Sequence, residues 1–239
     1  MHVKNDLFEY GVAIEESRIH LRSDGEKAMI GCVSDIRRHR EDLLDYIRGH
    51  PDFQFALEPV RIAGDAPRIV RKMAQSSGIA GVGPMASVAG ALADLGLESM
   101  LKYGAKTAVI ENGGEIAAIT ERPISVNIVS SNLDISGRIG FYVTKEDCPI
   151  GIATSSSKTG HAISFGEADS VTVIADEASL ADAAATAICN SVRGNDVRTS
   201  IQRGLMKSTE IRGVRGTLIL RENQVGSAGR FPKIVKIKE

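Results

Sequence analysis

Asp182 and Thr186 have the spacing that most directly suggests metal chemistry in this sequence. They lie four positions apart in residues 179–192, whose alanine-rich apolar pattern predicts a helix. Positions i and i+4 share a helix face, so the Asp182 carboxylate and the Thr186 hydroxyl could hold one Mg²⁺ as hard oxygen ligands. The alternative is a capping box, because Ser179 and Asp182 have the spacing in which the carboxylate serves only the helix start. Spacing alone favours the cap.

A glycine pair at 113–114 is the second candidate. Asn112 and Glu115 flank Gly113 and Gly114, and two glycines allow positive φ and N–H groups that turn toward an anion. The same residue types also form a plain type I′ hairpin without a ligand. Taken alone, the motif favours the plain hairpin.

A run of hydroxyl side chains forms the third candidate. Thr154, Ser155 and Ser156 begin a run of four hydroxyl residues, and Lys158 and His161 follow. Hydroxyl and lysine donors suit phosphate oxygens, and His161 would be in reach for orientation or proton transfer. The spacing does not match a Walker A loop. A solvated serine-rich turn is the alternative, and the sequence does not separate the two.

Composition excludes several classes of protein. The chain has 239 residues with a net charge of -1 and 43% apolar residues, which indicates a globular protein of one large domain or two packed ones. Only 4% of the residues are aromatic and none is Trp, which argues against a base-stacking nucleic-acid surface. Residues 73–93 carry no charge but are too weakly apolar for a membrane span.

Cysteine usage and the chain start indicate a cytoplasmic location. The three cysteines, Cys32, Cys148 and Cys189, are odd in number and far apart, so neither a disulfide framework nor a CxxC zinc site is expected. The first residues carry charges where a signal peptide needs an apolar segment. Cys148 lies beside two acids that would raise its pKa, which favours an unreactive thiol.

The predicted elements cluster by type instead of alternating. A hairpin is expected over 7–22, and helices over 35–48, 66–77, 85–103, 179–192 and 196–206. Further strands are expected over 107–110, 115–120, 125–129, 138–144, 150–154, 161–165, 170–175, 214–221 and 232–237. Such clustering predicts an α+β fold, and with no clear linker we expect a single domain over 1–239. The small-residue helix 85–103 would pack closely within the chain or between chains, so a homo-oligomer stays open.

Five short segments, taken in order, resemble the ApbE-like superfamily, whose named members are FAD:protein FMN transferases. They are residues 81–90, 111–116, 151–156, 170–173 and 181–186. The likeness spans about 80–190 and is closest to a cytosolic archaeal and bacterial branch with Gly-Pro-Met-Ala and Glu-Asn-Gly-Gly signatures. The resemblance implies an α+β fold of two interlocked subdomains with mixed or antiparallel sheets and packed helices.

The resemblance also implies a site for FAD and Mg²⁺. In the flavin transferases a Gly-Gly-Asp turn, a Thr-Ser-Gly loop, a following His and an Asp-to-Thr helix pair surround the FAD diphosphate and its metal. The matching positions in this sequence are Gly113, Gly114, Glu115, Thr154, Ser155, Ser156, His161, Asp182 and Thr186. The resemblance therefore favours the metal interpretation of Asp182 and Thr186 over the capping box. It makes His161 and Asp182 the catalytic candidates. All these groups should line one cleft.

Departures from the family pattern keep two functions open. The Asp-Pro-x-Thr-Gly element expected after the histidine is replaced by residues 165–169, Phe-Gly-Glu-Ala-Asp, and the Lys-Gly expected before the small-residue helix appears as Pro84-Met85. One hypothesis is a Mg²⁺-dependent flavin or nucleotide transferase that cleaves a phosphoanhydride and uses a protein acceptor. The other is a non-catalytic flavin- or nucleotide-binding accessory protein, linked through its family to sulfide assimilation, with Cys148 as the best-placed thiol.

Overall fold

The computed structural model describes residues 2–4, 7–127, 139–156 and 166–236. Six helices lie in this part of the chain: α1 (Glu26–Gly49), α2 (Pro51–Phe55), α3 (Arg68–Ala80), α4 (Val88–Lys102), α5 (Ala178–Ser191) and α6 (Val197–Glu210). Its twelve strands are β1 (His2–Lys4), β2 (Leu7–Ile14), β3 (Ser17–Ser23), β4 (Ala108–Asn112), β5 (Glu115–Ile119), β6 (Ile124–Asn127), β7 (Ile139–Val143), β8 (Ile150–Ser155), β9 (Ser170–Ala175), β10 (Val214–Arg221), β11 (Gln224–Gly229) and β12 (Lys233–Lys236). The strand predicted over 161–165 falls outside the described residues.

Nine of these strands form one long sheet in the order β1-β2-β3-β4-β5-β8-β9-β10-β11, and a second sheet has the order β12-β7-β6. Every pairing between strands of the described residues is antiparallel. Helices and antiparallel strands are segregated, so the predicted α+β class is confirmed.

Side chains of the long sheet point alternately to its two faces. Both faces are covered by other elements. On one face, helices α1, α3 and α4 pack against residues such as Leu21 and Ile110. On the same face, α5 and α6 pack against residues such as Ala153 and Val173. The opposite face carries Val109 and other large apolar side chains and packs against the second sheet. The helices therefore form one layer on one face of the long sheet.

Helices α4 and α5 approach each other unusually closely at Gly90. A Cβ atom placed on Gly90 would lie 2.3 Å from the carbonyl oxygen of Ala178 and 2.8 Å from the Cα of Ser179. Gly151 of β8 makes a similar approach, because its Cβ would lie 2.3 Å from the backbone nitrogen of Ala178. The predicted small-residue helix is thus a buried helix whose glycine admits the start of α5.

No single helix of the described residues is long and apolar enough to cross a membrane. Helix α3 and the segment Pro84–Lys102 meet the length and composition criteria only when they are taken together, and they are bent by 100° relative to each other.

Candidate functional site

Four segments that are distant in sequence meet on the helix-covered face of the long sheet. The register of β5 on β8 pairs Ile116 with Ile152 in an antiparallel ladder. Continuing that register past its last pair brings the 113–115 turn alongside residues 153–155. The first turn of α4 lies beside the 113–115 turn, because Asn112 bonds to the carbonyl oxygen of Ala89, and α5 packs against β8. These four segments lie close together in the described structure, and the single cleft that they were expected to line stays a prediction.

Asp182 is bonded to α4 and not to the start of its own helix. Its carboxylate accepts a hydrogen bond of 2.9 Å from the backbone N–H of Gly90, the third residue of α4. The first turn of α5 is served instead by Asp94, whose two carboxylate oxygens accept bonds of 2.8 and 3.0 Å from the N–H groups of Ala178 and Ser179. The capping-box alternative for Asp182 is therefore wrong, because each of the two helices supplies the cap of the other.

Acidic side chains are concentrated beside the half-buried Asp182. Burial raises the pKa of Asp182 well above its ordinary value, the charges of Glu115 and Asp94 raise it further, and the bond from Gly90 offsets part of this effect. Burial and the charge of Glu111 raise the pKa of Glu115 to about 7. Both groups would be stabilised in their ionised form by a cation, because an opposite charge nearby favours a carboxylate.

The raised pKa of Glu115 predicts that stability falls as the pH rises. The folded protein holds this proton more tightly than the unfolded chain, so the contribution of Glu115 is present below its ordinary pKa of 4.5 and is lost as the pH passes about 7. We expect the free energy of unfolding to fall by up to about 3 kcal/mol between pH 5 and 8 from this group, with Asp182 acting in the same direction. Urea denaturation at several pH values should show this slope, reduced in Glu115→Gln and unchanged in the exposed-loop control Glu58→Gln. A slope that is the same in Glu115→Gln as in wild type would contradict the prediction.

Thr186 lies one turn after Asp182 on α5, and its side chain is buried. Within the described part of the chain, no group of three or more His, Cys, Asp or Glu side chains is close enough to hold a metal ion. Asp182 and Thr186 would thus provide two hard oxygen ligands and leave the remaining positions to water and phosphate oxygens. This donor set fits Mg²⁺, which is commonly bound by one or two carboxylates together with substrate phosphates.

Some hydrogen-bonding groups of the 112–115 turn are used within the fold. The buried Asn112 donates from its Nδ2 to the carbonyl oxygen of Ala89 at 3.1 Å, which fastens the turn to the start of α4. The N–H of Gly113 donates to the carbonyl oxygen of Arg18 at 3.1 Å. Gly113 and Gly114 both have positive φ, as a type I′ hairpin requires. One donor of Asn112 and the N–H of Gly113 are thus used within the fold, and the anion contacts of residues 112–115 stay a prediction.

The hydroxyl run divides between the two faces of the sheet. Thr154 Oγ1 shares a hydrogen bond of 2.9 Å with Thr172 Oγ1, on the face where Ile152 packs against the second sheet. Ser155 faces the helices, as Ala153 does, and its buried Oγ has no hydrogen-bond partner in the described part of the chain. The expectation that Thr154 and Ser155 point into one cleft is corrected, since neighbouring strand residues alternate in direction.

The two remaining predicted residues are Ser156 and His161. Ser156 is half-buried and directly follows β8. His161 lies outside the described residues, so its role stays a prediction.

Cys148 is half-buried in the short connection before β8. Burial raises its pKa, and the nearby charges of Asp147 and Glu146 add to this effect, against a lowering by a backbone hydrogen bond at Thr120 and by the charge of Arg215. A raised pKa lowers the thiolate fraction and with it nucleophilicity. The thiol therefore gives the sulfur-metabolism hypothesis no added support.

Comparison with known proteins identifies the family. The profile described as AbpE bacteria matches residues 2–211. The chain belongs to this family. A UPF0280 protein of Methanothermobacter thermautotrophicus is 41% identical over 225 residues, covering 94% of this chain and 86% of that protein. A UPF0280 protein of Methanocaldococcus jannaschii is 39% identical over 231 residues, covering 96% of this chain and 93% of that protein.

Solved structures share the fold of this AbpE bacteria family member. The flavinyl transferase ApbE of Pseudomonas stutzeri, in its apo form, superposes with a TM-score of 0.60 at 14% identity, covering 93% of both chains. The flavin transferase ApbE of Vibrio cholerae also gives a TM-score of 0.60, at 12% identity, covering 93% of this chain and 96% of that chain. The resemblance seen in the sequence and the ApbE-like fold that it implied are both confirmed.

Proposed function

We propose that this protein binds FAD through its diphosphate, with Mg²⁺ held by Asp182 and Thr186, and that it transfers the FMN moiety to a protein hydroxyl. The observation that carries this proposal is the state of Asp182. Asp182 is half-buried and lies near Glu115, and in the part of the chain that the structure describes the largest effects on its pKa come from burial, neighbouring acids and backbone N–H groups. A Mg²⁺ ion bound to the diphosphate would place positive charge next to these acids.

The chain offers separate donors for the phosphate oxygens. The N–H of Gly114, in the turn before β5, and the hydroxyl of Ser155 at the end of β8, which has no hydrogen-bond partner among the described residues, are brought together by the β5–β8 register. The first turn of α4 adds the positive end of a helix dipole. Groups of this kind stabilise charge on phosphate without having to rearrange during the reaction.

Transfer would form a bond between the acceptor oxygen and the phosphorus of FMN and would break the phosphoanhydride bond, releasing AMP. The acceptor hydroxyl must lose its proton, and we propose His161 as the group that accepts it. When bound, Mg²⁺ would neutralise the charge that develops on the leaving phosphate. The flavin transferases of similar fold support this chemistry for the present chain.

A second candidate function is binding of FAD without transfer. It is favoured by one observation, the replacement of the Asp-Pro-x-Thr-Gly element by residues 165–169. A protein that had lost the chemistry could keep the fold and the diphosphate contacts. We therefore expect measurable FAD affinity together with weak turnover on generic acceptor proteins.

Ser155→Ala separates the two candidates. In a transferase, loss of one positioned donor should lower the rate of Mg²⁺-dependent AMP release on the order of 10²-fold and change FAD affinity less. In a binder, the same change should weaken FAD binding only, by about 1–3 kcal/mol. AMP release and FAD affinity should both be measured, with and without candidate acceptor proteins.

Thr154→Ala is the matched control, because it removes the neighbouring hydroxyl from the opposite face of the sheet. It should leave both FAD affinity and AMP release close to wild type. Equal effects of Ser155→Ala and Thr154→Ala would contradict the assignment of Ser155.

A further inference from the structure

Lys72 of α3 lies among three acidic side chains beside the start of α5. Its Nζ is 3.0 Å from Glu177 Oε1, 3.6 Å from Asp94 Oδ2 and 3.7 Å from Glu98 Oε1. Only 14% of the Lys72 side chain and 7% of the Asp94 side chain are exposed. The pair is therefore largely desolvated, and loss of either partner would leave an uncompensated buried charge.

Asp94 connects this ion pair to the helix that carries Asp182. Its Oδ1 accepts from the N–H of Ala178 and its Oδ2 from the N–H of Ser179. The residue at the N-cap of α5, Glu177, makes no capping bond with its own side chain. Side-chain capping of α5 among the described residues therefore comes from α4.

A second carboxylate, on α5, makes the reciprocal hydrogen bond with α4. Asp182 lies one turn after Ser179 and accepts the N–H of Gly90, one turn before Asp94. The two carboxylates thus form a closed arrangement in which each helix fixes the other. A displacement at Ala178 and Ser179 would move Asp182 with it, because both lie on the same short stretch of rigid helix.

We propose that Asp94 and Lys72 are positioning residues that hold α5 in register with α4 and thereby set the place of Asp182 and Thr186. Asp94 holds the helix, and Lys72 compensates the charge of Asp94. Asp182 and Glu115 then remain as the acids available to a cation. This inference rests on the proposed function for its consequence in metal binding, while its effect on α5 stands independently.

The test uses Asp94→Asn and Lys72→Met in the full chain. Amide hydrogen exchange of the ligand-free protein should speed up at least about 10-fold at Ala178 and Ser179, with α6 as the internal reference. The Mg²⁺ concentration that gives half-maximal tight FAD binding should rise about 10- to 100-fold, as is usual when an outer-shell partner is lost. FAD affinity without Mg²⁺ should change less than about twofold, and Lys72→Arg should restore both readouts toward wild type.

Two controls distinguish positioning from a general loss of stability. Glu98→Gln removes another acid near Lys72, and Ile36→Val weakens the core between α1 and α4. Neither should alter exchange at Ala178 or the Mg²⁺ requirement. The proposal is overturned if Asp94→Asn leaves exchange at these amides unchanged, or if Ile36→Val reproduces the full effect. If wild-type protein binds no FAD, the proposed function fails, and the exchange measurement alone decides whether the pair holds α5.

Discussion

Replacing Asp182 with asparagine is expected to weaken Mg²⁺-dependent FAD binding on the order of 100-fold while leaving the protein at least as stable as wild type. The amide removes the charge that would attract the metal, and metal sites lose affinity steeply when the ligand set is disturbed. The amide oxygen can still accept the N–H of Gly90. The raised pKa of Asp182 means that its ionised form costs stability near neutral pH, and asparagine removes that cost.

FAD titration with and without Mg²⁺, together with thermal unfolding at pH 8, measures both parts of this prediction. Asp196→Asn is a suitable control, because Asp196 caps α6 by accepting the N–H groups of Arg198 and Thr199. Its pKa is lowered, chiefly by its hydrogen bonds with Thr199, so this substitution should not stabilise the protein and should leave binding intact. A destabilised Asp182→Asn variant that still binds FAD in a Mg²⁺-dependent way would show that Asp182 is only a cap.

Gly90→Ala is expected to have the largest effect on stability. The added Cβ would lie 2.3 Å from the carbonyl oxygen of Ala178, a backbone atom that cannot move without shifting α5. Overpacking of this kind costs about 1–3 kcal/mol, and the upper end is expected here because both contacts are backbone. The variant should also lose Mg²⁺-dependent FAD binding, because the α4–α5 contact positions Asp182.

Gly78→Ala provides the matched control within the same chain. Gly78 lies in α3 with nothing within 4 Å of an added Cβ, so alanine should stabilise the protein by about 0.4–1 kcal/mol. The midpoints of chemical denaturation of the two variants should shift in opposite directions from that of wild type. An unfolding midpoint of Gly90→Ala equal to that of wild type would show that α4 and α5 can separate without cost.

Local patterns predicted most of the elements that build the site. The strand expected over 170–175 agrees in extent with β9, and the glycine pair at 113–114 forms the expected hairpin. Helix α1 begins at Glu26, well before the predicted 35, because its first turns are buried through Ala28, Met29 and Cys32 and carry little of the charged pattern that marks its second half. Strand β11 was missed because its Gln-Val-Gly-Ser-Ala-Gly sequence lacks apolar alternation.

The site was predictable in its residue types but less so in their partners. Sequence spacing located Asp182, yet its bond to Gly90 and the cap that Asp94 gives to α5 join residues that are more than 80 positions apart. No local pattern reports such contacts. A readable signal did exist for Thr154 and Ser155. Large side chains at Ile150 and Ile152 alternate with Gly151 and Ala153, which marks the helix-covered face as that of Ser155.

In the proposed function, Asp182 and Thr186 hold a divalent cation on the diphosphate of FAD. Crystals of the protein grown with FAD and Mn²⁺, used as an anomalous scatterer in place of Mg²⁺, test it most directly. We expect an anomalous peak within coordination distance of Asp182, Thr186 and the diphosphate oxygens, beside the 113–115 turn. Bound FAD with its cation elsewhere, or with no cation at Asp182, would contradict it.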